Sequence, residues 1–365
     1  MSSDFIIAGG GIGGIATAIA LQKHGYNAVV FERDKDFSSR SQGYSLTIQH
    51  NGYRALEKLG VAQRVKDLSD GLEITGSTVM RSDGHTISST KSNHFRFKNF
   101  IVSRQELRKC LLDALLPNTI FWGKEIVDYR TTPDGVSVLF SDGSYKQGRA
   151  LIGCDGVRSE VSKRLVKSEL RYLGVWAING MSPHHGNELI ADKSMQVLDG
   201  DNRVFIKPFN KQKCMWQLTF KVENAVSLSE LCQDDLLQKS IAITKDWFRP
   251  VSLLISETMA CDLRAGPIYD RDPLSKISKD HPYVTVLGDA IHPMSPFKGQ
   301  GANQALCDSI SLVESLLNNS DVAEAFVEYE REMLLRTRRL VLGSREAVRF
   351  LHTHDALTKR SNRKA

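Results

Sequence analysis

The 365-residue chain lacks most of the marks by which special protein classes declare themselves. No stretch approaches the ~18 uninterrupted apolar residues of a membrane helix. The opening MSSDFIIAGGGIGG has no basic segment and carries Asp4 at once, so no secretory signal is expected. The six cysteines (Cys110, Cys154, Cys214, Cys232, Cys261 and Cys307) are scattered, and no two form a C-x-x-C pair. They read as small buried hydrophobes of a reducing compartment, and a cytoplasmic location is expected. The ten histidines show neither H-x-H nor H-E-x-x-H spacing, so no metal site is expected. His184 and His185 sit in a turn-like stretch and are expected to be exposed. Excess charge is also missing: 48 Lys and Arg against 42 Asp and Glu leave +6, too mild for a nucleic-acid binder. Internal repeats and low-complexity linkers are absent as well.

What is present is ordinary globular composition, 41% apolar and 25% charged, at a length suited to about two domains. Residues 4–8 form a short apolar strand, 12–24 have helical spacing, and 28–32 form a second β-rich run. The chain therefore opens as β-loop-α-β with a right-handed crossover. A helix is expected over 51–60, with Asn51 at its N-cap. Two strands over 72–90 flank Ser82-Asp83-Gly84, and a helix over 103–116 opens with Ser103 and Glu106 in S-x-x-E spacing. Strands follow near 125–130, 135–141 and 149–154. The middle of the chain, about 171–264, reads as strands near 195–198, 203–207, 214–222 and 251–258, with a helix near 227–247. After it come a buried strand at 283–288, a helix over 301–318, a long helix over 322–351 and a polar tail. The expected fold class is α/β, with α/β segments at both ends around an inserted antiparallel sheet.

Four elements carry chemistry. Gly9, Gly11 and Gly14 satisfy G-x-G-x-x-G between a strand and a helix. There the first glycine turns the chain, the second admits a diphosphate against backbone, and the third permits close packing. The helix N-terminus then offers unpaired N–H groups and its positive dipole end to the phosphates. Glu32 ends the second strand, placed to accept from ribose hydroxyls. Its charge disfavours a 2′-phosphate, which leaves NAD and FAD. Arg33 follows and is a candidate for the adenine. Residues 288–303 (GDAIHPMSPFKGQGAN) take a strand into a carboxylate, Asp289, then a proline-stiffened loop and a glycine-rich helix start. Cys154-Asp155-Gly156 ends another strand in a carboxylate and a turn. Ser103-Arg104-Gln105-Glu106-Leu107 begins a helix with an arginine.

Taken in order, these elements resemble the FAD-dependent aromatic hydroxylases, the class A flavoprotein monooxygenases that include para-hydroxybenzoate hydroxylase and the tetracycline-inactivating enzymes. The resemblance runs from residue 4 to about 318. It implies a Rossmann-type FAD-binding domain from residues 1–71, 101–170 and 265–320. It also implies a substrate domain from 72–100 and 171–264, and a C-terminal helix and tail over 321–365. It assigns the ribityl chain to Asp289, and the flavin pyrimidine edge to Pro296, Gly299, Gly301 and the backbone through Asn303. FAD contacts fall to Arg104 and Asp155, with Arg40 as a looser candidate in the loop after the second strand. One face of the middle sheet is expected to roof the flavin over an apolar substrate pocket, while Trp176, Met195, Phe205, Met215, Trp216 and Phe220, which lie in that sheet, each read first as ordinary core.

The implied activity is insertion of one oxygen atom from O2 into an aromatic or polycyclic small molecule through a flavin C4a-hydroperoxide. NADPH or NADH serves as transient co-substrate, without a second glycine-rich motif. No catalytic base is singled out. An FAD epoxidase or reductase of the same fold stays open, as does a flavin-binding protein without oxygenase activity. Lys298 departs from the small residue common in the family loop and is expected to face solvent. His292 is expected to brace that loop. The arginines at 331, 336, 338, 339, 345 and 349 are expected to form a solvated helix face.

Overall fold

The computed structural model describes residues 4–39, 45–91, 97, 99–226 and 228–358. Arg40 and the polar tail at 359–365 lie outside the described residues. The chain opens with β1 (Phe5–Ala8), α1 (Ile12–Lys23) and β2 (Ala28–Glu32), the expected crossover unit. Next come β3 (Ser45–Ile48), α2 (His50–Leu59), α3 (Ala62–Asp67), β4 (Gly76–Arg81), β5 (Thr86–Lys91), β6 (Phe100–Ser103) and α4 (Arg104–Leu112). They are followed by β7 (Ile120–Trp122), β8 (Ile126–Thr132), β9 (Gly135–Phe140), β10 (Tyr145–Gly148), β11 (Ala150–Gly153) and α5 (Ser162–Leu165). The middle holds β12 (Leu170–Pro183), β13 (Lys193–Leu198), β14 (Asn202–Pro208), β15 (Lys213–Lys221), α6 (Gln233–Thr244), α7 (Arg249–Ser256) and β16 (Arg264–Arg271). The chain closes with β17 (Val284–Val286), α8 (Gly301–Asn318) and α9 (Val322–Leu351).

Two sheets position the site. The first has five parallel strands in the order β17-β11-β1-β2-β7. Its central strands are apolar throughout, FIIA and ALIG, because both faces are covered, one by α1 and α8 and the other by the three-stranded antiparallel sheet β10-β9-β8, whose Val136, Val138 and Phe140 share the same core. The second has seven strands in the order β16-β12-β15-β14-β13-β4-β5. It is antiparallel except for one parallel pair, β13 with β4, where the early hairpin joins the later strands. Side chains alternate across it. Ile178, Met195, Val197, Val204, Ile206, Trp216 and Leu218 pack into a core closed by Leu236 of α6 and Val251, Leu254 and Ile255 of α7. Residues 203, 205, 207, 215 and 217 point to the other face.

Several expectations need correction. Residues 249–256 are helical. Val251 and Ile255 are β-branched, yet with Leu254 they fall at helical spacing, and Pro250 opens the first turn. Asn51 is not the N-cap of α2; Gln49 holds that position, and the Asn51 amide instead donates to Gln300 Oε1 at 3.0 Å. His184 is buried, while His185 is exposed. The arginines of α9 do not share one solvated face. Arg345 is buried, with Nε and Nη2 donating to the Asp270 carboxylate at 2.7 and 2.9 Å. Arg336 bonds the buried Asp308 at 2.9 Å. The arginines at 331, 338, 339 and 349 are exposed.

Within α9, Glu330 accepts from Thr285 Oγ1 of β17 at 2.8 Å. Burial pushes its carboxyl up to about 7, against the pull of that bond and of Lys279. In the unfolded chain the group titrates near 4.5, so the folded state binds more protons between those values and stability falls as pH rises through that window. Glu330→Gln is expected to flatten this fall and to stabilise the protein at pH 8 by roughly 1–3 kcal/mol. Thermal midpoints of both proteins from pH 4.5 to 8 are the check; parallel curves would refute it.

Candidate functional site

The glycine loop follows β1 because the turn there demands glycine. Gly9 has φ +100°, and a Cβ on it would lie 2.6 Å from the Cys154 carbonyl. A Cβ on Gly14 would lie 2.0 Å from the Gly9 carbonyl, so the first turn of α1 seats directly on the loop. Gly11 differs: a Cβ there would meet nothing within 4 Å. Glu32 is buried and turned toward the loop, with Oε2 accepting from Gly10 N at 2.7 Å and Oε1 from Asp34 N at 2.9 Å. Arg108 closes the arrangement. Its Nε donates to the Gly10 carbonyl at 2.8 Å, and its guanidinium lies over Phe37 and Trp122. Arg108 was not foreseen from the sequence. It stands one helical turn after Arg104, and that i, i+4 spacing was the available signal.

A cavity of about 330 Å³ opens beside this loop. Of the residues expected at the site, Gly9, Gly11, Glu32, Arg33, Arg104, Asp155 and Asp289 all line it. Gly14 does not, being packed against the loop. Asp155 stands two residues beyond the end of β11, with Oδ2 accepting from the backbone N–H groups of Glu160 and Val161 at 2.8 and 3.3 Å. Its Oδ1 is buried without a hydrogen-bond partner, and burial raises the carboxyl above its ordinary range. A buried acceptor left this way is costly unless a ligand donates to it.

Pro296, Gly299, Gly301 and Asn303 form a second region reached through Asp289, whose Oδ1 is 3.7 Å from where a Gly301 Cβ would stand. Pro296–Lys298 makes a 3₁₀ turn, Gly299 reverses it at φ +62°, and α8 begins at Gly301. The first N–H groups of α8 therefore face the trough with the helix's positive end. Lys298 is exposed. The Asn303 side chain points inward as a brace. It accepts from Gln49 N at 3.0 Å and donates to the carbonyls of Thr47 and Gly299 at 3.0 and 2.9 Å. Gln49, another residue the sequence did not single out, donates to the Lys298 carbonyl at 2.9 Å and accepts from Gln300 at 2.7 Å.

Behind the loop lies Asp308 of α8, fully buried. Its Oδ2 accepts from Gly288 N at 2.8 Å and from His292 Nε2 at 2.7 Å, while Oδ1 accepts from Arg336. Burial works against its charge, yet His292 and Arg336 outweigh that and hold the carboxyl below its ordinary range. His292 thus braces the loop. On the seven-stranded sheet, Trp176, Met195, Trp216 and Phe220 belong to the core under α6 and α7 rather than to a pocket wall. Phe205 and Met215 sit on the opposite face, which looks toward β3 and the Pro296 turn.

A parallel sheet with a glycine crossover, an orphaned carboxylate oxygen in the adjoining cavity and a second helix start beside Asp289 define an extended dinucleotide trough roofed by a sheet, the architecture of flavoprotein monooxygenases. A family profile described as FAD binding domain matches residues 2–343, and the chain belongs to that family. It is 28% identical to aurachin C monooxygenase/isomerase of Stigmatella aurantiaca, over 93% of this chain and 87% of that one. To the FAD-dependent urate hydroxylase of Klebsiella pneumoniae it is 27% identical, over 96% and 91%. The crystal structure of Klebsiella pneumoniae HpxO with FAD and uric acid superposes with a TM-score of 0.86 at 25% identity, covering 97% of this chain and 90% of that one. The chain is thus an enzyme of the FAD-dependent monooxygenase and hydroxylase family. The open space at Gly11 and the partnerless Asp155 Oδ1 suit the family's cofactor.

Gly11 and Gly14 separate binding from folding. Gly11→Val is expected to leave the thermal midpoint of the flavin-free protein within about 2 °C, because its side chain enters open space, yet to weaken FAD binding by about 100-fold or more. Gly14→Val drives a side chain into the Gly9 carbonyl and should cost on the order of 3 kcal/mol of stability. Calorimetric FAD titrations and melting curves of both variants decide. Intact FAD affinity in Gly11→Val would contradict the placement of the diphosphate.

Proposed function

We propose that this protein is an NAD(P)H-consuming FAD monooxygenase that places one oxygen atom from O2 onto an aromatic small molecule held between the seven-stranded sheet and the loop before α8. The observation that carries this reading is the convergence of both halves of the trough on Asp289, together with a second cavity of about 1150 Å³ that meets the loop before α8 at Gln49. Gln49, His50, Ser77, Thr90, Phe97 and Ser194 are among the residues lining that cavity. Gln49 belongs to both the cavity and the loop network, so a substrate there would lie beside the start of α8. The names of the relatives support the substrate class, since urate and aurachin C are cyclic, unsaturated small molecules.

In this reading residues 1–71, 101–170 and 265–320 bind FAD, and residues 72–100 and 171–264 shape the substrate side. The backbone at Gly9 and Gly11 holds the diphosphate, and Arg104 lies along it. Glu32 and Arg33 serve the adenosine end. Asp155 Oδ1 accepts a hydrogen bond from a cofactor hydroxyl, and Asp289 holds the ribityl chain. Gly299, Gly301 and the N–H groups through Asn303 face the pyrimidine edge, where the positive helix end favours negative charge. The flavin, when bound, supplies reduction by NAD(P)H and activation of O2. The chain contributes orientation, a fixed electric field and a roof that excludes water.

The purified protein is expected to be yellow, to oxidise NADH or NADPH slowly alone, and to do so at least about tenfold faster with an accepted aromatic, yielding a product heavier by one oxygen atom. Urate is a suitable first compound, read by NAD(P)H absorbance and product mass. A flavin-loaded protein that oxidises neither nicotinamide under any of these conditions would overturn the oxygenase reading.

A further inference from the structure

The outward face of α9 carries charges that the fold itself does not match. Where the helix looks inward, its arginines have carboxylates: Arg336 holds Asp308 and Glu332, and Arg345 holds Asp270 and Asp272. Where it looks outward this matching stops. Arg331, Arg338, Arg339, Glu346 and Arg349 are exposed. Their side chains make no hydrogen bond or ion pair with any described residue. Glu328 is half-buried, with Oε2 accepting from Asn319 Nδ2 at 2.5 Å. Among these charges stand two leucines, Leu335 at 71% exposure and Leu342 at 40%. A single exposed leucine is ordinary. These two lie two helical turns apart, and with Arg336, Arg338 and Arg339 they line a groove of about 580 Å³.

The order of these residues is symmetric. Counted from the midpoint between Arg338 and Arg339, Leu335 mirrors Leu342, Arg331 mirrors Glu346, and Glu328 mirrors Arg349. The leucines match in kind, and both outer pairs are opposite in charge. At 3.6 residues per turn these six side chains fall within about 60° of one another around the helix, whereas Arg338 and Arg339 lie at the two edges of that stripe. Such a stripe is its own complement. Two copies of α9 laid antiparallel about a two-fold axis at the midpoint set Leu335 against Leu342 of the second copy, Arg331 against Glu346 and Glu328 against Arg349, each contact occurring twice. A parallel pairing would instead oppose each charge to itself. At 8–10 Å between helix axes the long charged side chains span the gap over the ~32 Å from 328 to 349. Arg338 and Arg339 fall at the rim, where water and salt screen the repulsion from their copies.

We propose that the outward face of α9 is a self-association surface whose partner is a second copy of this chain, joined antiparallel along residues 328–349. The contact goes beyond the oxygenase reading and does not depend on it. A strip about 32 Å long and one helix wide buries less than the roughly 800 Å² per partner of a standard stable complex, so the dimer is weak and concentration-dependent. Arg336 and Arg345 keep their own carboxylates in this arrangement, so the helix holds the 288–300 loop and β16 as before. A surface of anionic lipid is the competing partner, since the face carries four exposed arginines. The two accounts differ in sign at the rim: Arg338 and Arg339 oppose the dimer, whereas they would favour the lipid.

The test is sedimentation velocity on the full-length, FAD-loaded protein. The wild type is expected to be monomeric at about 1 µM and mostly dimeric at about 200 µM. Arg331→Glu and Glu346→Arg each set like charges opposite one another, and each should weaken self-association at least about tenfold. An equimolar mixture of these two variants should dimerise within about threefold of wild type, because each of its two contacts then joins opposite charges. An effect confined to one helix cannot produce that rescue. Arg338→Gln combined with Arg339→Gln should tighten the dimer at least about threefold. A wild type that stays monomeric at the higher concentration, single variants that dimerise as well as wild type, or a mixture that remains monomeric would overturn the proposal. So would a monomeric wild type that sediments with phosphatidylserine vesicles and loses that binding in the double glutamine variant, which is the outcome the lipid account requires.

Discussion

The contact between Gly14 and the Gly9 carbonyl is the constraint from which the site follows. It brings the first turn of α1 onto the end of β1, while the Gly9 backbone lies against Cys154 at the end of β11. Three chain segments thus meet with no side chain between them. Because no Cβ intervenes, the α1 N-terminus is aimed into the cavity rather than lifted off it, and the neighbouring strand delivers Asp155 to the same place. Glu32 and Arg108 then fix the loop from the other side through Gly10, one on its N–H and one on its carbonyl. A residue larger than glycine at position 9 or 14 would separate these segments, and the cavity would lose its geometry before any ligand contact was considered.

The seven-stranded sheet divides its labour by alternation alone. Even-numbered residues of β14, Val204 and Ile206, build the core with Trp216 and Leu218, and odd-numbered ones, 203, 205 and 207, face the trough. Bulky apolar side chains concentrate on the covered face, while polar and cationic side chains accumulate on the face that looks toward α8. A sheet whose second face is this polar yet this buried is poorly explained by folding alone, because each buried polar group costs free energy unless it is matched. The amides of Gln196, Gln217 and Asn179 supply part of the match through a chain of hydrogen bonds. The rest is left for whatever occupies the space beneath.

How much of this was legible in the sequence depended on the range of the interactions. Gly9, Gly11 and Gly14 could be read because backbone conformation and close approach are local demands, and Asp155 and Asp289 because each ends an apolar run at a turn. The helix at 249–256 was misread because the β-branched Val251 and Ile255 spoke for a strand, whereas the i, i+3, i+4 spacing of Val251, Leu254 and Ile255 was the better signal. Trp176 and Trp216 read as core, as they are, but could not be assigned to a face, because strand alternation gives two faces without saying which one a helix will cover. Arg345 with Asp270, Asp308 with Arg336, and Lys207 with Ser45 join positions from 28 to 162 residues apart, and nothing in the local pattern marks either partner. An arginine on an amphipathic helix reads as solvated until the carboxylate that receives it is found.

These distant pairs also explain why the C-terminal helix belongs to the site although it contributes nothing to the cavity beside the glycine loop. α9 reaches the 288–300 loop at separate points: Arg336 through Asp308 to Gly288 and His292, and the Ser344 carbonyl to Ser295 Oγ at 3.1 Å. The next residue, Arg345, holds Asp270 of β16. A stiff helix pinned to both the loop and the sheet fixes the gap between them, which in the proposed reading sets the height of the space for flavin and substrate. Lengthening the gap by even 1 Å would weaken contacts that depend on distance as steeply as hydrogen bonds do. Buried ion pairs are poor sources of net stability, so their placement here is better understood as setting geometry. Asp308 shows this most directly, because one carboxylate orients a backbone amide of the loop, a histidine of the same loop and an arginine of the helix at once.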